Sequence, residues 1–160
     1  MRFTIAAIGR LKEGPDRAQL ERYAKLLGGL GRSCNLGPLQ IVELAEGRGQ
    51  SVALRCRDES QRLLAASSFA DQRILLDERG RTHSSERFAE LIGRLRDGGT
   101  REIAFLLGGA DGHGAEARAA TDDTLALSHF TLPHGLARIV LTEQLYRAVT
   151  ILAGHPYHRA

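Results

Sequence analysis

The sequence predicts an α/β layer fold with a mostly parallel sheet flanked by helices. Two observations carry this. Short apolar, strand-like stretches alternate with helix-spaced stretches along the whole chain, and glycine or polar breaks fall between them. The stretch 104–107 then reads as a buried strand that runs directly into the glycine loop of residues 108–114.

Residues 2–9 are short and apolar and give a first strand. Arg10, Lys12 and Glu13 follow at once, which argues against a signal peptide. Pro15 suits the first turn of a helix whose apolar positions are Leu20, Tyr23, Ala24, Leu27 and Leu30. Gly28, Gly29 and Gly31 are expected to stop it. Residues 39–44 alternate as a second strand, and 46–49 form a loop. Ser51 is a candidate cap for a helix with Val52, Cys56, Leu63 and Leu64 on its apolar positions. Residues 73–77 make a third strand, and 78–81 are expected to turn. Ser84 or Ser85 caps a helix carrying Phe88, Leu91, Ile92 and Leu95, which ends at residues 97–99. Residues 102–107 are the fourth strand. One helix is expected over 115–126 and a long one over 136–153 after the polar hinge that ends in Pro133.

In such sheets ligands bind beyond the carboxyl ends of the strands. Leu76 with Asp77, Gly108 with Gly109, and the hinge entry are therefore expected to share one pocket. The last helix has two apolar stripes, Leu136, Ile139 and Val140 on one, Leu141, Leu145, Val149 and Leu152 on the other. That exceeds what one sheet face needs, and a homodimer contact is the simplest second partner.

Composition bounds the rest. The chain has 160 residues, enough for one domain with its own core. No apolar run is long enough for a membrane span, so no membrane partner is expected. Cys34 and Cys56 have no metal or redox spacing and read as reduced thiols of a cytoplasmic protein. The net charge is +3, and nearly all of the positive charge is arginine, Lys12 and Lys25 being the only lysines. A compositional bias and a phosphate-binding face both explain that. Residues 108–114 fit neither the dinucleotide fingerprint nor a phosphate-binding P-loop. His155 and His158 lack a third ligand, and His129 and His134 add no recognised spacing, so no metal is expected. The tail of His155, Tyr157, His158 and Arg159 could stack on a base and hold phosphate.

Six motifs together resemble one family. They are Leu76-Asp77 with Gly80, residues 84–89, residues 107–109 with Gly112 and His113, residues 131–134, residues 143–148 and residues 156–159. The chain resembles, nearly end to end, the RlmH family of SPOUT methyltransferases, which methylate N3 of a pseudouridine in large-subunit (23S) ribosomal RNA. The resemblance implies a single SPOUT domain over 1–160, a C-terminal trefoil knot, a homodimer in the cytoplasm, and S-adenosylmethionine as cofactor. It places cofactor contacts at Leu76, Gly108, Leu127, Ser128, His129, Phe130, Thr131 and Leu132. It places the chemistry at Arg159, for phosphate or a developing anion, with His158 or His134 as proton acceptor and Tyr157 beside them. Glu143 and Arg147 would order the site. Ala110 stands where the family usually has proline, and Gly135 where a bulkier residue is usual. Those departures motivate a rival, a non-catalytic ribosome-binding factor with the same fold. A flavodoxin-like small-molecule binder also fits the alternation, but leaves the tail unexplained.

Overall fold

A computed structural model describes residues 1–159. Five parallel strands form one sheet in the order β2-β1-β4-β3-β5. They are β1 (Arg2–Ile8), β2 (Leu39–Leu44), β3 (Gln72–Arg81), β4 (Glu102–Leu107) and β5 (Asp123–Leu125). The helices are α1 (Pro15–Leu30), α2 (Val52–Ala66), α3 (Ser85–Asp97), α4 (Ala115–Ala119) and α5 (His134–Leu152). A short 3-10 turn, Gly31–Cys34, follows α1.

The sheet is covered on both faces, which is why β1 and β4 read as continuous apolar runs. Successive side chains alternate between faces. Phe3, Ile5, Ala7 and Phe105 pack in one core with residues of α1, α3 and α5. Ala6, Ile8, Ala104 and Leu106 pack in the other with Leu63 of α2 and Ala117 of α4. Helix α5 contacts both α1 and α3, and its stripe Leu141, Leu145 and Val149 is fully buried. Leu136 is exposed, while Ile139 and Val140 are half-buried.

Several local expectations hold. Pro15 is in the first turn of α1. The Ser51 hydroxyl accepts from the Leu54 N–H, and the Ser84 hydroxyl from the Arg87 N–H. Others need correction. Helix α1 runs through Gly28 and Gly29, and the chain turns only at Gly31–Cys34 and left-handed Asn35. Val52 is exposed rather than core.

Residues 78–81 do not turn; they extend β3. The strand bulges there, because Leu125 pairs with both Leu76 and Arg81. The extension needs Gly80. A Cβ on it would lie 2.6 Å from the Leu125 carbonyl carbon and 2.7 Å from the Thr124 oxygen. The helix expected over 115–126 stops at Ala119, and a fifth strand takes its end. Asp122 explains the break. Its carboxylate accepts from the Arg73 N–H at 2.8 Å, and its own N–H donates to the Arg73 carbonyl at 2.9 Å. This pins the chain to the edge of β3, and the side-chain bond competes with helix continuation.

Candidate active site

A cleft of about 430 Å³ opens at the carboxyl ends of β3 and β4, against the hinge before α5. Leu76, Gly108, Leu127, Ser128, Phe130, Thr131 and Leu132 all line it, and so does His134. The strand ends and the hinge thus share one pocket. His129 is exposed and lies outside the lining.

Helix α2 fixes the glycine loop from behind. The Arg55 guanidinium donates to the Asp111 carboxylate at 2.7 Å and to the Gly49 carbonyl at 3.2 Å. The Cys56 thiol donates to the Asp111 carbonyl at 3.4 Å, and the Ser60 hydroxyl accepts from the Gly114 N–H at 3.1 Å. Buried Glu59 accepts from the Gly47 N–H at 2.7 Å. A Cβ on Gly109 would lie 2.6 Å from the Glu59 carboxylate, so a side chain there would push the loop off α2. The sequence reading did not name this contact: the group against Gly109 is this chain's own carboxylate. Arg55 and Glu59 escaped that reading because i,i+4 charges on a helix usually mark a solvated pair.

His113 folds back under the loop. Its Nε2 lies 2.9 Å from the Leu76 carbonyl oxygen and 3.2 Å from the Gly108 nitrogen. A single nitrogen can donate to the first or accept from the second, not both, and the tautomer decides. Either way, His113 ties the glycine loop to the end of β3. Burial holds the His113 ring below the ordinary imidazole range, against the Leu76 carbonyl and Asp77, so it is neutral. Asp77 is also drawn below its usual range. Burial alone would raise it, but the Arg79 N–H and the Arg118 guanidinium, 2.6 Å away, outweigh that.

The cleft suits an amphipathic molecule of nucleoside size. Its volume falls in the range of small-ligand sites, and its walls combine several leucines with polar residues such as Asp77, Ser128 and Thr131. S-adenosylmethionine fits that description. Among the described residues no cluster of three metal-ligating side chains occurs.

The tail forms a second, separate cluster. Tyr157 lies against Tyr146 with centroids 4.7 Å apart, and the Arg147 guanidinium carbon sits 4.9 Å from the Tyr157 centroid. The Tyr157 hydroxyl donates to Glu143 at 3.1 Å, and Arg147 donates to the same carboxylate. His158 Nδ1 is 3.4 Å from Arg147 Nη1, and its Nε2 is 2.8 Å from the Glu86 carboxylate. Arg159 is exposed. The expected acceptors are thus split: His134 lines the cleft, whereas Tyr157, His158 and Arg159 do not line the cleft of their own chain.

Of the two departures, Ala110 is exposed on the loop. Gly135 fits its surroundings, since a Cβ there would meet Asp16 at 3.0 Å and Leu11 at 3.1 Å.

Comparisons with known proteins agree with this geometry. A family model described as "Predicted SPOUT methyltransferase" matches residues 1–158. The chain is 47% identical over 160 residues to the ribosomal RNA large subunit methyltransferase H of Brucella anthropi, with both chains covered in full. It is 46% identical over 169 residues to the protein of the same name from Brucella abortus, again over both full lengths. Among solved structures, a probable methylase family protein from Haemophilus influenzae superimposes with a TM-score of 0.53 at 13% identity. That match covers 99% of this chain and 70% of the other, and speaks for the fold alone. By its full-length match in sequence, the chain belongs to the SPOUT methyltransferase family.

Proposed function

We propose that this protein transfers a methyl group from S-adenosylmethionine to large-subunit ribosomal RNA, at N3 of pseudouridine 1915 in 23S rRNA. The carrying observation is the cleft at the ends of β3 and β4, walled by the hinge and braced by His113. The shared name of the full-length relatives supports the RNA substrate.

The bound sulfonium supplies an already activated methyl group. The chain's residues hold and align. Leu76, Gly108 and the hinge residues Leu127, Ser128, Thr131 and Leu132 form the cofactor wall, with Phe130 at its rim and His129 beside it outside the lining. Alignment of N3 with the methyl carbon contributes several kcal/mol, on the order of the gains from proximity. The N3 proton passes to His134 or His158 as the N3–carbon bond forms. Arg159 holds a phosphate or the developing imide anion, with Tyr157 beside it.

The tail does not line its own cleft, so a second copy completes the site in this reading. The half-exposed stripe of Leu136, Ile139 and Val140 on α5 is the surface for that homodimer. Residues 1–160 act as one domain, with the knotted C-terminal threading that the resemblance implies. The setting is the cytoplasm, on the ribosome.

The test is methyl transfer from labelled S-adenosylmethionine to ribosomes from a strain lacking this gene, with the modified nucleotide mapped. Label on N3 of that pseudouridine is the expected result. Arg159→Ala is expected to abolish transfer and leave cofactor affinity nearly intact; equal loss of both sinks the assigned role. Absence of both transfer and cofactor binding in the unaltered protein favours the ribosome-binding factor.

A further inference from the structure

Phe130 is 82% exposed, the most exposed of the large hydrophobic side chains among the described residues. It lies in the wall of the cleft, at the hinge. The Ser128 hydroxyl accepts from the Phe130 N–H at 2.9 Å and so shapes the turn there. Its neighbours Leu127 and Leu132 are half-buried and anchor the hinge without it. A phenyl ring held in water has no role in the packing of this chain.

Arg79 lines the same cleft and is exposed. Among the described residues Arg79 is in no ion pair, and Asp77, two residues away, is otherwise engaged. Its carboxylate pairs with Arg118 at 2.6 Å and meets only the backbone N–H of Arg79, at 2.9 Å. Glu78 and Asp111 also line the cleft, Asp111 being paired with Arg55, so the cationic contribution is tested by itself below.

We infer that Phe130 and Arg79 form a nucleotide-holding lip, on which a base of the RNA substrate stacks over the ring while a phosphate meets the guanidinium. The inference rests on the RNA methyltransferase reading and adds to it the residues that grip the substrate. Unstacked bases are held on aromatic faces with little dependence on sequence, and arginine's planar fork suits phosphate. An RNA methyltransferase must bring a nucleotide to this mouth, and these two side chains are the aromatic and the unpaired guanidinium in its lining.

The experiment uses the full chain, the ribosomes described above, and a short single-stranded uridine-containing RNA as a direct binding probe. Phe130→Ala is expected to raise KM for the ribosomes about tenfold. Cofactor affinity and oligomeric mass stay as in the unaltered protein. Phe130→Tyr retains the stacking face and restores KM, whereas Phe130→Leu behaves like Phe130→Ala. Arg79→Ala raises KM and lowers the salt slope of RNA binding by about one. Several results overturn the inference. Leucine has no face for a base to stack on, so a leucine variant matching the unaltered protein reduces Phe130 to apolar cover. Loss of cofactor affinity in Phe130→Ala assigns the ring to the cofactor pocket. Dissociation of a dimer assigns it to the subunit interface. Unchanged KM removes the lip altogether. If the unaltered protein transfers no methyl group, the methyltransferase reading fails, and binding of the RNA probe still decides the lip.

Discussion

The guanidinium of Arg138, only 2% exposed, donates to the Glu43 carboxylate at 3.0 Å and so joins α5 to the end of β2. The same guanidinium donates to the carbonyls of Ile8 at 2.6 Å and Gly9 at 2.9 Å. Glu43 in turn accepts from the Leu11 N–H and from Arg17. Burial alone would raise the Glu43 carboxyl, but these hydrogen bonds and the two guanidinium charges hold it below its usual range. One arginine on the last helix therefore closes the carboxyl ends of β1 and β2.

Arg138→Ala is expected to destabilise the fold by about 3 kcal/mol, because it strands two carbonyls and part of a buried carboxylate. Urea unfolding measures this. A change under about 0.5 kcal/mol, typical of surface substitutions, shows that the network is not structural.

Gly80→Ala tests the bulge that brings β5 to β3. The new methyl meets Leu125, Thr124 and the Ala126 nitrogen, all backbone atoms at 2.6–2.8 Å. The expected cost is about 1–3 kcal/mol, the usual range for overpacking. Cofactor affinity falls too, because Leu76 and Leu125, paired across this edge, both line the cleft. Full stability and full affinity together contradict the bulge as drawn.

The sheet and the pocket were legible because buried parallel strands write continuous apolar runs, and glycine or proline punctuates their ends. The runs 2–8 and 102–107 and the hinge at Pro133 carry that signal plainly. Strand β5 was not legible. It is three residues long, and it is held by pairing with β3 and by Asp122–Arg73 hydrogen bonds between residues 49 apart in sequence. Neither propensity nor periodicity reports a contact of that kind. Arg138 and Glu59 escaped for a related reason. Their partners lie on distant segments, and a charge in a helical pattern looks the same whether it faces water or a buried carbonyl. The tail motif was legible, but its place in the fold depends on Glu143, Arg147 and Glu86.

His113 gives a pH dependence with a definite sign. Burial lowers the folded-state pKa, so the unfolded chain binds its proton first. The contribution of His113 is fully present above about pH 6.5 and is lost as pH falls from there through the lowered folded value. Comparing urea midpoints at several pH values, His113→Gln is expected to show a smaller drop than the unaltered protein between about pH 7.5 and about pH 5. Parallel curves place the ring in solvent and contradict its burial.

Glu143 is the acceptor on which the tail cluster converges. Arg147 and the Tyr157 hydroxyl both donate to its Oε1. The phenol of Tyr157 is raised above its ordinary range, first by burial and then by Tyr23 and Glu143. Glu143→Gln keeps the shape and removes the charge, and charge-assisted hydrogen bonds are about twice as strong as neutral ones. Two outcomes are expected together. The Tyr157 phenol titrates at lower pH in a spectrophotometric titration, and turnover falls about tenfold, the equivalent of one weakened positioning contact. Cofactor affinity stays the same, because Glu143 does not line the cleft. A variant with lowered tyrosine titration but full turnover shows that the tail cluster holds the chain end without serving the reaction. Loss of cofactor affinity places Glu143 in the cofactor wall, against the separation of the two clusters in a single chain.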